Sequence, residues 1–170
     1  MVANLSAHKR GWDSRWKEFS DEAGKAEALK NQLLKLVDED TRAFNGIMHA
    51  FSLPNSSEED KQTRKKAISE ATVHAIETPL QVMKLSLQSM AIIRRMAETG
   101  NSNSVSDAGV GALCARTAVL GAWLNVKINC AGFEDRSFAE KKLEEAKVLA
   151  DKAIAAESKI LEIVNSKIGG

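Results

Sequence analysis

The sequence predicts an all-α fold, a bundle of long up-and-down helices, and three observations carry that prediction. Only two prolines occur in 170 residues, against an average usage of about 5%. Alanine appears 24 times while tyrosine is absent and aromatic residues make up 5%, the reverse of what strands select. Over long stretches apolar residues recur at alternating steps of three and four, the pattern of one helix face. A length of 170 residues fits a single domain spanning 1–170 with its own core.

The first helical stretch ends near Gly11. A second runs from about Asp13 to Phe51, with apolar positions at Leu29, Leu33, Leu36/Val37, Phe44, Ile47/Met48 and Phe51. Ser52-Leu53-Pro54-Asn55 stops it. Ser56 and Ser57 offer hydroxyl caps to the third helix, and Glu58-Glu59-Asp60 puts acids in its first turn. Pro79 lies inside that helix and should kink it, because proline removes an amide donor and crowds the preceding turn. Gly100-Asn-Ser-Asn-Ser ends it. A fourth helix opens at Ser104–Asp107 and closes near Cys130 to Gly132. Eight of the fifteen positions from Ala108 to Ala122 are Gly or Ala, so this helix is expected to be the central, most buried one. The last runs from about Asp135 to Lys167, with Leu143, Ala146, Ala150, Ala153, Ile160 and Val164 as a bundle seam.

Charge and cysteine usage narrow the function classes. With 24 Lys+Arg against 23 Asp+Glu the net charge is +1, which argues against an electrostatic nucleic-acid binder. Cys114 and Cys130 have no CxxC and no further partners, so neither a disulfide framework nor a cysteine zinc site is expected. No apolar leader opens the chain. The uncharged stretches 85–93 and 117–126 are about half the roughly 20 residues that span a bilayer. A cytoplasmic protein with no membrane partner is expected.

In a bundle, function shows as polar groups on stripes that want apolar ones. Asp40 stands seven, four and three residues after Leu33, Leu36 and Val37, and four and seven before Phe44 and Ile47. That spacing puts a carboxylate on the buried stripe, paired with an arginine or held in a polar pocket. A second line steps along the fourth helix through Asp107, Gly111, Cys114, Ala118, Gly121, Asn125 and Asn129. Its middle is small and its ends are polar. Ser104 and Asp107 have the spacing of a capping box, whereas two asparagines one turn apart either tie helices together or hold a polar ligand. Glu70, His74 and Glu77 share a face, but paired-helix di-iron sites use Glu-x-x-His, which this chain lacks, so no metal is expected. Trp12, Trp16 and Phe19 form an aromatic stripe, read as core packing. Lys9-Arg10 is too short for a polybasic patch but can meet a carboxylate.

Several segments taken together carry a resemblance: Leu36-Val-Asp-Glu-Asp-Thr-Arg-Ala-Phe44, Ala50-Phe-Ser-Leu-Pro54, Thr78-Pro-Leu80, Ser106-Asp-Ala-Gly-Val-Gly-Ala112 and Gly121-Ala-Trp-Leu-Asn-Val-Lys-Ile-Asn129. Over essentially its whole length the chain resembles the formimidoyltetrahydrofolate cyclodeaminase family, which includes methenyltetrahydrofolate cyclohydrolases. The resemblance implies a helical homodimer or higher homo-oligomer binding a tetrahydrofolate derivative as substrate, without a metal, and a formiminotransferase domain or subunit as a partner. In the implied reaction N10 attacks the formimidoyl carbon, ammonia leaves and 5,10-methenyltetrahydrofolate forms, a step of histidine degradation and one-carbon supply. Asp107 is then expected as the acid/base or cation-stabilising group and Asp40 as a second carboxylate. Asn125 and Asn129 would orient the folate, and Lys9 and Arg10 would meet its glutamate. The family usually opens with a Gly-rich segment and an alanine-rich helix ahead of the Met-Val-Ala with which this sequence begins. The domain is therefore read as N-terminally incomplete, with an exposed apolar groove where that helix packs. Two other readings stand beside it: a cyclohydrolase of the same family, and a non-catalytic oligomerisation module or inactive truncated form.

Overall fold

A computed structural model describes residues 1–11 and 13–169. The elements are α1 (Val2–Ala7), a 3-10 turn at Asp13–Arg15, α2 (Trp16–Ser52), α3 (Glu58–Thr99), a second 3-10 turn at Ser102–Ser104, α4 (Val105–Ala131) and α5 (Arg136–Ile168). Four long helices and a short N-terminal piece make the predicted all-α bundle, with no strand among the described residues. At about 1.5 Å per residue α3 is roughly 60 Å long. It is the spine: α2, α4 and α5 all pack on it, and α5 also packs on α4.

Each boundary has a local cause. Ser57 Oγ accepts from the Asp60 amide while Asp60 Oδ2 accepts from the Ser57 amide, a reciprocal capping box that starts α3. Asp135 caps α5 by accepting from the Phe138 amide. The box expected at Ser104 does not form, since no side-chain bond caps α4. Gly100 ends α3 where a Cβ would lie 2.5 Å from the Met96 carbonyl oxygen and 3.0 Å from Val2 Cγ1, so only glycine fits. Lys167 Nζ covers the last α3 carbonyls, donating to those of Ala97 and Glu98 at 2.6 Å.

The core lies between α3, α4 and α5, where Ile76, Met83, Val119, Val126, Cys130, Ala146, Ala150, Ala153 and Ile160 are fully buried. Alanines along α5 and Gly109 on α4 let the axes approach; a Cβ at Gly109 would meet Val164 Cγ1 at 3.2 Å. Phe19 is fully buried under the Arg15 guanidinium, 4.8 Å from the ring centre, whereas Trp16 is largely exposed; Trp12 lies outside the described residues.

Two expectations are corrected. α4 is not buried all round: it packs on α3 and α5, but Val110, Leu113, Leu124 and Ile128 face outward, Ile128 being 72% exposed. The small line Cys114–Ala118–Gly121 is exposed as well. The segment Ser102–Ala131 is, by length and a mean hydropathy of 1.3, apolar enough to cross a membrane, although neither uncharged stretch alone suggested it. Within the bundle its Arg116 pairs at 3.3 Å with Glu157 of α5. Asp40 is likewise exposed, because α2 rests on α1 and α3 and has no long helix on its other side. α2 in fact carries two apolar stripes. The outer one, Leu34, Val37, Phe44, Met48 and Phe51, repeats at three and four around Thr41 and is more than half exposed throughout.

Candidate functional site

The open side of the bundle is a groove with α3 as floor and α2 and α4 as walls. Its apolar stretch, about 330 Å³, lies between Leu29, Leu33 and Val37 of α2 and Ile92 and Ile93 of α3. Gly111 of α4 faces the same Ile93, at 3.6 Å from a built Cβ. The groove continues into a cleft of about 520 Å³ lined by Asp40, Thr41, Pro79, Val82, Ser86, Ala118, Ala122 and Asn125, with Leu33, Leu36 and Val37 on the α2 side. Its polar members make this cleft a candidate site.

Three side chains give the cleft its chemistry. Asp40 comes from α2 and Asn125 from α4, so two residues 85 positions apart line one cleft. Among the described residues neither makes a hydrogen bond or ion pair, and both are exposed. Ser86 of α3 is 2% exposed and its hydroxyl has no hydrogen-bond partner among the described residues. A buried hydroxyl without a bond costs about 1–3 kcal/mol, so it fits a site completed by a polar ligand. Periodicity alone does not mark Ser86, because a serine on an apolar face also reads as a small core residue. The cleft thus offers a carboxylate, an amide and a hydroxyl on apolar walls, enough to orient a flat heterocycle and to move a proton.

Other sequence-predicted residues lie elsewhere. Asn129 is one turn beyond Asn125, and its Nδ2 donates to the Ala75 carbonyl at 2.7 Å. Asp107 is exposed in the first turn of α4, 18 residues and about 27 Å along the helix from Asn125. Lys9 Nζ donates to Asn101 Oδ1 at 2.9 Å beside the α3–α4 turn, and Arg10 is exposed next to it. The chain therefore sets Asp40 and Asn125 on one cleft and Asp107, Lys9 and Arg10 at one end of the bundle.

A polar network on the other side of α3 was not expected. His74 Nε2 lies 3.7 Å from Glu39 Oε2, Lys142 bridges Glu77 at 3.2 Å, and Lys84 pairs with Glu145 at 2.7 Å. These pairs tie α2 and α5 to the spine. Among the described residues no three His, Cys, Asp or Glu side chains gather to hold a metal ion; Glu70 pairs with Lys66 instead of joining His74.

Comparison with known proteins agrees with the fold. The family model described as formiminotransferase-cyclodeaminase matches residues 1–148. A methenyltetrahydrofolate cyclohydrolase from Methylorubrum extorquens is 34% identical over 99% of this chain and 81% of its own length. The formimidoyltransferase-cyclodeaminase of Rattus norvegicus is 35% identical over 67% of this chain, which spans only 21% of that longer protein. A crystal structure of formiminotetrahydrofolate cyclodeaminase from Thermotoga maritima superimposes with a TM-score of 0.84 over 99% of this chain and 80% of that one, at 23% identity, and so shares its fold. On these matches the chain belongs to the formiminotransferase-cyclodeaminase family.

Proposed function

We propose that this chain is a folate-processing enzyme that closes 5-formimidoyl-tetrahydrofolate to 5,10-methenyltetrahydrofolate with release of ammonia, at the cleft between α2, α3 and α4. The observation that carries the reading is Asp40, Asn125 and the unpartnered Ser86 hydroxyl lining one cleft in a member of this family. Ring closure forms the N10–carbon bond and breaks the bond from that carbon to the departing nitrogen. The N10 proton must leave, the departing amine must gain one, and the product ring carries a delocalised positive charge. A carboxylate at Asp40 suits both demands, taking up a proton and stabilising the cation. Asn125 and Ser86 supply donors and acceptors for the heterocycle's N–H and amino groups. The chain's own residues account for these steps without a metal.

A second reading is favoured by the near full-length match to a methenyltetrahydrofolate cyclohydrolase. Water then adds to the same carbon and gives one proton to the same carboxylate; one carbon–nitrogen bond of the ring then breaks as the hydroxyl proton passes to the freed nitrogen, leaving a formyl group. Ammonia release from 5-formimidoyl-tetrahydrofolate, measured beside hydrolysis of 5,10-methenyltetrahydrofolate, separates the two. Turnover of neither by well-folded protein overturns the folate reading and favours a non-catalytic module.

A homodimer belongs to the same proposal. The outer stripe of α2 and the outward residues of α4 leave large apolar side chains about half exposed or more on the surface, the kind of face that a partner covers. A second copy is the occupant proposed. Asp107 retains an acid/base role only if that pairing carries it to the partner's cleft, since within one chain it is too far away. The formiminotransferase half of the longer relatives is the partner expected to supply substrate. A cytoplasmic setting, where the exposed Cys114 thiol stays reduced, completes the proposal.

A further inference from the structure

A second pocket lies on the same face of α3 as the cleft. Its volume is about 400 Å³, and the first turns of α3 line it with Lys61, Arg64, Lys65, Ile68, Ser69 and Thr72. Asn55 of the α2–α3 loop and Phe133 and Glu134 of the α4–α5 loop close it. Three cations face one acid. Lys65 pairs with Glu134 at 2.9 Å and Lys61 with Glu58, but all four side chains are more than half exposed, so these pairs are weak and readily exchanged for a ligand. Arg64 is held differently. Its Nη2 donates to the Phe51 carbonyl at 2.9 Å, its Cζ lies 5.9 Å from the Phe51 ring centre, and its buried Nε has no hydrogen-bond partner among the described residues. A fixed guanidinium between two exposed lysines, with Ile68 and buried Phe133 as apolar wall, is built for an anion attached to a flat apolar body.

Register ties this pocket to the cleft. Lys61, Lys65, Ile68, Thr72, Pro79, Val82 and Ser86 follow one another on a single stripe of α3. Thr72 is seven residues from Pro79 and Ile68 eleven, about 10 and 16 Å along the axis. Asn101, where Lys9 is held, is more than 20 residues from Pro79 in the opposite direction, beyond about 30 Å. We infer that the Lys61–Arg64–Lys65 pocket binds the dicarboxylate end of the substrate whose heterocycle occupies the cleft. It does so in place of Lys9 and Arg10, and the inference rests on the folate reading. The aminobenzoyl ring lies toward Ile68 and Phe133, and the glutamate carboxylates meet the three cations.

The test replaces the two exposed lysines together, Lys61→Gln with Lys65→Gln, and leaves Arg64 to hold the α2 end. Steady-state kinetics compare the tetrahydrofolate substrate with a tetrahydropteroate analogue lacking the glutamate. Loss of two charge-assisted contacts should raise KM for the glutamate-bearing substrate about tenfold with kcat within about twofold. The analogue's KM should stay as in the parent protein. Equal changes for both substrates, or none for either, overturn the inference. Calorimetric titration with p-aminobenzoylglutamate separates this failure from that of the folate reading. Salt-sensitive binding lost in the double variant supports the pocket whichever reaction the cleft performs, and no binding to the parent protein overturns it.

Discussion

Asn129 Nδ2 donates to the Ala75 carbonyl at 2.7 Å, and Ala75 is the residue whose helical donor Pro79 removes. A proline inside a helix leaves the carbonyl four residues back without its amide partner. Ala75 is 7% exposed, so water is a poor substitute. The α4 asparagine fills the gap and ties α4 to the spine beside the cleft. Asn129 is thus bound to backbone, while Asn125, one turn away, faces the opening. Replacing Asn129 with Leu should cost about 1–3 kcal/mol, the penalty for an orphaned buried carbonyl. In a Pro79→Ala background, where the amide returns, the same change should cost at least about 0.5 kcal/mol less. Urea denaturation of the four proteins measures the difference, and purely additive effects would refute the link.

Asp40→Asn keeps the shape of the side chain and removes its charge. Because Asp40 is exposed and bonds no described residue, thermal stability should be nearly unchanged. Ring closure should slow by about 10²–10⁴-fold, the usual contribution of a positioned acid or base. Near-normal kcat in the folded variant would exclude Asp40 from the chemistry. Asp107→Asn, measured in parallel, should slow only the paired form.

These contrasts show what the sequence could and could not disclose. The long helices, the loop at Ser52–Asn55 and the cap at Ser57 follow from local rules, and they were legible. The stripe through Leu33, Leu36, Asp40 and Ile47 was legible as a face, but periodicity is silent on whether a neighbour covers it; here one long side of α2 has none. The Gly and Ala run in α4 predicts the central, most buried helix. It serves close packing on α5 at Gly109, while Gly121 has nothing within 4 Å of a built Cβ. Ser86 and the basic pocket depend on residues brought together from separate helices and loops, which spacing along one helix does not reveal.

The exposed apolar face gives a direct test of assembly. Leu124 is 60% and Ile128 72% exposed, on one side of α4 and clear of the core. Changing both to Lys should leave the helical circular dichroism and the cleft intact while placing charge in the paired interface. Light scattering on the eluting protein should find the parent chain at twice its monomer mass and the double variant at the monomer mass. A parent protein that runs as a monomer at micromolar concentration would remove the homodimer from the proposal.

Acid sensitivity follows from the cluster that fastens the start of α2 to the end of α3. Glu18 Oε1 accepts from Arg15 and Arg95, each at 2.8 Å, and Arg95 also lies 3.5 Å from the buried Glu22. The hydrogen bond from Arg15, then that from Arg95, lowers the Glu18 carboxyl from an ordinary 4.5 to about 2. A carboxyl held lower in the folded chain stabilises it fully above the ordinary value. That contribution is then lost as pH falls from about 4.5 toward about 2. Glu18→Gln removes the effect. The gap in melting temperature between parent and variant should therefore be constant above about pH 5 and narrow steadily below pH 4.5. Because the cluster meets solvent, 1 M salt should shrink the gap at neutral pH. A gap that does not change with pH would mean that Glu18 acts only through packing.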